Sequence, residues 1–164
     1  MKIYTSYFYQ IRFFKPYMIP ISTCLSDPKW FYILEKVPGH SSRHLPYIDK
    51  NGVINGLRAE LLAPGAGCEG DCRGPEYCAT KDPSTCNFLR HYQEQLNTLD
   101  CKALITHCEE FARDWQTYHC PDQEPLLVFI VYETPSNPCS ERRVLQEWLR
   151  NNGYEVEELD PKNV

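Results

Sequence analysis

The chain has 164 residues, enough for one domain with a proper core, with 22 acidic against 17 basic residues and a net charge of −5. That balance excludes a protein drawn by bulk electrostatics to nucleic acid or to anionic membranes. No apolar run approaches the roughly 18 residues of a membrane helix, and the opening MKIYTSYFYQIRFF has neither a continuous apolar core nor a small-residue cleavage site, so it reads as no secretory signal and points to the cytoplasm.

Residues Lys2–Phe8 carry Ile, Tyr, Thr and Phe and predict a first strand. Tyr17–Leu25 predicts a second, with Pro20 suggesting an edge or a bulge because proline cannot donate to a ladder. Pro28, Pro38, Gly39, Pro46, Gly52, Gly56 and Pro64 punctuate the stretch from Ser26 to Pro64, which therefore reads as irregular. Within it the turn pairs Asn51-Gly52 and Asn55-Gly56 precede Arg58, which such a turn can present to a ligand or leave on a solvent face. His40 and His44 have a metal-ligand spacing, although a polar loop is the stronger reading of them.

Residues 65–87 form a separate feature. GCEGDCRGPEYCATKDPSTC places Cys68, Cys72, Cys78 and Cys86 in a C-x3-C-x5-C-x7-C pattern amid polar, turn-forming residues that cannot bury enough apolar surface to fold unaided. Thiolates gathered this closely hold a segment by wrapping a metal or by forming disulfides. Nine cysteines in all, an odd number with five scattered through ordinary segments, suit a reducing compartment with one metal cluster. Structural zinc is the expected metal and an iron–sulfur cluster the alternative; His91 can replace one thiolate, although it reads better as a surface helix residue.

Apolar residues at Phe88, Leu89, Tyr92, Leu96 and Leu99 predict a helix from Asn87. Asp100 predicts the cap of a second, with Leu104, Ile105, Cys108, Phe111, Ala112 and Trp115 on its inner face. Leu126–Tyr132, LLVFIVY, is continuously apolar and predicts a central strand buried on both faces. After ETPSNPCSERR, Val144, Leu145, Trp148 and Leu149 mark a third helix, with Asn137 as its N-cap and Pro138 as its first residue. Gly153 ends it, and Tyr154–Leu159 closes a right-handed β-α-β unit with a parallel pair. The class is α/β: a mostly parallel sheet flanked by helices, in one domain that carries the cysteine loop as an insertion.

In such sheets ligands bind beyond the carboxyl ends of the strands, where helix N-termini point their free N–H groups. Cys139 and Ser140 would fall in the first helical turn, followed by Glu141, Arg142 and Arg143. That turn can hold a phosphate or carboxylate on Ser140, Arg142 and Arg58. It can also present Cys139 as a nucleophile beside Glu133 and Glu141, or simply cap the helix. The separation of Cys139 from the arginines is too short for a tyrosine-phosphatase loop. Ser6, Tyr7, Lys29 and Trp30 would lie on the same rim. The 13% of aromatic residues, led by 11 tyrosines, serve as core packing or as stacking platforms for bases.

The segment VYETPSNPCSERRVLQEWLRNNGYEVEEL resembles the C-terminal signature of a bacterial and phage family of domains of unknown function, family 488. There a strand runs into a Tyr-Glu-x-Pro-like turn, then a Cys-His-Arg motif and a helix with Trp-Leu near its end. YTSYF and MIPIS resemble the family's opening strands. Alignment on Trp148-Leu149 sets Ser140 and Glu141 at the Cys-His positions and retains Arg142. The resemblance implies a Rossmann-like fold with a pocket at this turn, and the cysteine loop as the mark of one branch. The functional expectation is a cytosolic, metal-binding α/β protein with an anion pocket, acting as an enzyme on a nucleotide or nucleic-acid component. The alternative is a zinc-stabilised module that binds nucleic acid or protein without turnover.

Overall fold

The structure, a computed structural model, describes residues 1–37, 48–49, 52–53, 55–65 and 82–164. Its centre is a six-stranded, wholly parallel sheet with strands β1 (Lys2–Tyr7), β2 (Met18–Ser22), β3 (Tyr32–Val37), β6 (Asn55–Ala59), β7 (Leu126–Val131) and β8 (Val156–Glu158) in the order β3-β6-β2-β7-β1-β8. Two short strands, β4 (Ile48–Asp49) and β5 (Gly52–Val53), pair antiparallel apart from it. The helices are α1 (Asn87–Asn97), α2 (Cys101–His119) and α3 (Arg142–Asn151). No helix among the described residues is long and apolar enough to cross a membrane.

The α/β class is as expected, and so is the place of β7. All six of its residues are buried, and it pairs with β2 on one side and β1 on the other. α2 is capped by Asp100, whose carboxylate accepts from Ala103 N at 3.0 Å, and it buries the expected face from Leu104 to Trp115. α3 buries Leu145, Trp148 and Leu149.

Four local expectations are corrected. Pro20 is in an interior strand. Thr23 N donates to Ile130 O, so odd-numbered residues of β2 face β7 and Pro20 faces β6, where the ladder begins only at Ile21. Asn55-Gly56 opens β6 rather than a turn. A Cβ at Gly56 would stand 2.1 Å from Pro20 O, so glycine here serves the close approach of two strands. The stretch read as irregular contains both β3 and β6. Finally, β7 and β8 run parallel but are not neighbours, because β1 lies between them.

The path into the cysteine segment is fixed by α1. Tyr92 OH donates to Leu62 O (2.6 Å), while Gln95 donates to Leu61 O and Ala63 O and accepts from Gly65 N (2.7 Å). Cys68, Cys72 and Cys78 lie outside the described residues, as do His40 and His44.

Candidate functional site

The strand order locates the place on the rim where α/β sheets bind ligands. From β2 the chain proceeds toward the β3 edge, and from β7 it proceeds toward the β8 edge, so the carboxyl ends of β2 and β7 diverge at a topological switch point. Ser22, Thr23, Cys24 and Asp27 reach it from β2, Arg58 from β6, and the loop from Tyr132 to Glu141 from β7.

The β2 side is tightly bonded. Thr23 Oγ1 donates to Ile130 O at 2.9 Å, and Ser22 Oγ donates to Asp27 Oδ1. Arg58 lies on an interior strand, not on a turn. Its Nη1 meets Asp27 Oδ2 at 2.6 Å and its Nη2 donates to Leu25 O at 2.6 Å.

The β7 side is built from one loop. Asn137 does not cap α3. Its Oδ1 accepts from Cys139 N at 2.9 Å, an Asx turn that competes with helix initiation, and α3 starts only at Arg142. Cys139 therefore precedes the helix instead of standing in its first turn, and it is half-buried. Ser140 and Glu141 are buried. Ser140 Oγ accepts from Arg142 N (3.2 Å) and donates to Glu133 Oε2 (3.2 Å), linking the start of the helix to the end of β7.

Arg142 is 4% exposed and turned inward. Its Nη2 donates to Glu133 O (2.7 Å), its Nε pairs with Glu158 Oε2 (2.9 Å), and its Cζ stands 5.8 Å from the Tyr7 ring centroid. Thr5 Oγ1 donates to the same Glu158 oxygen, and Gln146 Nε2 donates to Thr5 Oγ1, both at 2.7 Å. The exposed guanidinium of this turn is that of Arg143. With Arg90, Cys86, Pro138 and Val144 it lines a groove of about 450 Å³ between the α1 N-terminus and α3.

The electrostatic focus is Glu141. Burial, and then the Glu133 carboxylate, raise its carboxyl from the ordinary 4.5 to about 7, against a smaller lowering by its backbone bond and by Arg142. The Cys24 thiol is pushed far up by its own burial and by Glu141, Glu133 and Asp27, so it stays protonated. A carboxyl that titrates near neutrality, buried at the sheet rim beside a second carboxylate, is suited to taking and returning a proton.

Sequence reasoning named Glu133, Ser140 and Glu141, which the loop brings together. It assigned no role to Cys24 or Asp27. The available signal was their place immediately after MIPIS, at the carboxyl end of a strand. Of the four cysteines expected to bind metal only Cys86 is described, a half-buried thiol just before α1, and the substitute ligand His91 lies within that helix. Among the described residues no group of three or more His, Cys, Asp or Glu side chains could hold a metal ion. No family model, no curated protein and no solved structure matches the chain.

Proposed function

We propose that the protein is an enzyme acting on a nucleotide or a small nucleic-acid component, with Glu141 as its general acid–base group. The observation that carries this reading is the carboxyl of Glu141, buried beside Glu133 at the switch point and raised to about 7. In a hydrolytic step the ionised carboxylate takes a proton from an attacking water, and the resulting carboxyl returns it to the departing atom. Ser140 holds Glu133 beside the Glu141 carboxyl, and Arg58, held by Asp27, supplies positive charge on the β2 side for an anionic substrate. On this rim Cys139 is half-buried, whereas Cys24 is buried and protonated. A structural zinc on Cys68, Cys72, Cys78 and Cys86 would hold the loop before α1, supported by their spacing in a segment poor in apolar residues.

Turnover is tested with nucleotides and short oligonucleotides across pH. The expected result is hydrolysis with an inflection near pH 7 that Glu141→Gln lowers by about 100-fold or more. Binding without turnover of any of these substrates would instead support the non-catalytic module. Metal analysis should give one zinc per chain, lost on Cys72→Ser.

A further inference from the structure

We propose that a cleft formed by Phe8, Tyr9, Arg12 and Trp30 binds the base of a nucleoside monophosphate. This inference rests on the rim reading above and names the part of the substrate that the carboxylates do not touch. The cleft measures about 190 Å³, room for one planar base. It follows the carboxyl end of β1, and Phe8 joins it to the end of β7 through Tyr132, with ring centroids 4.8 Å apart. Phe8 is buried, with Trp30 edge-on to it at 6.1 Å, whereas Trp30, Tyr9 and Tyr132 are exposed by 40%, 55% and 48%. Exposed aromatics scattered singly need no explanation. Two packed on one buried ring, with Tyr9 lining the same cleft beside the sheet rim where α/β proteins bind ligands, do.

Charge selects the occupant. Arg12 Cζ lies 3.7 Å from the centroid of the Tyr9 ring, and its Nε donates to Tyr9 O at 3.0 Å. The guanidinium is thereby parked on the cleft wall while remaining exposed, where it can meet a phosphate. A stacking ring beside an arginine suits a base with an attached anion. The small volume and the net charge of −5 favour a mononucleotide over a long strand.

The test is titration of nucleoside 5′-monophosphates, nucleosides and inorganic phosphate, read by calorimetry and tryptophan fluorescence. Trp115 and Trp148 are buried, so a stacking ligand should quench mainly Trp30. The monophosphate should bind more tightly than the nucleoside or phosphate alone. Trp30→Ala should weaken it about tenfold or more, Trp30→Phe much less, and Arg12→Ala should reduce it to the nucleoside's level. Arg12 is exposed, so that variant keeps the test open should Trp30→Ala fail to fold. No binding of monophosphates at millimolar concentration, or binding indifferent to both Trp30→Ala and Arg12→Ala, overturns the cleft. Binding through the cleft without turnover upholds it and sinks the acid–base reading. Turnover that depends on Glu141 but not on Trp30 or Arg12 does the reverse.

Discussion

Glu141 and Arg142 are adjacent in sequence and both buried, yet their surroundings are opposite. Arg142 is matched: it pairs with Glu158, holds the carbonyl of Glu133, and stands beside a Glu158 carboxylate that also accepts from Thr5. Even so, Arg142 Nη1 and Glu158 Oε1 are buried with no hydrogen-bond partner among the described residues. Glu141 faces Glu133 and the burial that raises its own carboxyl. The first arrangement ties β8 and α3 to the rim. The second keeps a proton poised there. Neighbouring charged residues thus divide into one that fixes the loop and one that bears its electrostatic strain, and the partner, not the residue type, decides which.

The largest break in this contrast is expected from Arg142→Met. It leaves the Glu158 carboxylate without its cation and releases the Glu133 carbonyl, so chemical denaturation should show a loss of about 3–5 kcal/mol. It should also raise the Glu141 carboxyl further, because Arg142 is one of the groups that lower it. A loss below about 1 kcal/mol would mean that the pair does not hold the loop.

Glu141→Gln should act in the other direction. The carboxyl titrates near 7 in the folded chain against an ordinary 4.5, so the native state binds this proton more tightly than the unfolded chain does. Its stabilising contribution is complete below pH 4.5 and is lost as pH rises to about 7. Above that the variant should be more stable than the parent by up to about 3 kcal/mol, and below pH 4.5 the two should converge. A gap that does not change with pH would place the titration elsewhere.

Smaller effects sharpen the comparison. Thr5→Val removes the donor to Glu158 and the acceptor of Gln146, for a cost of about 1–2 kcal/mol in thermal unfolding. Arg143→Ala, on the exposed side of the same helix start, should change stability by less than about 0.5 kcal/mol. Equal costs for Arg142→Met and Arg143→Ala would erase the distinction between the inward and the outward arginine.

The elements legible in sequence were those whose pattern is local. LLVFIVY is apolar at every position because a central parallel strand has no solvent face, and the stripe from Leu104 to Trp115 repeats with the helix. β3 was missed although FYIL carries strand formers, because the surrounding prolines and glycines dominate the reading. Asn55-Gly56 has the composition of a turn, but its glycine answers to Pro20 across the sheet, a partner far away in the chain. The start of α3 was misplaced because Asn137 caps and turns with the same side-chain oxygen, and the competing Cys139 N–H decided between them.

By itself, then, the sequence determined the α/β class, the buried central strand, the inner helix faces and the loop carrying Glu133, Ser140 and Glu141, all of which follow from periodicity and neighbours along the chain. Strand order came from tertiary structure alone, since β1 enters between β7 and β8 only when the whole sheet assembles. That order brings Cys24 and Asp27 to the rim and turns Arg142 toward Glu158 on the far side of α3 in sequence. Charge and burial set what each of these groups does, and both depend on residues far apart in the chain.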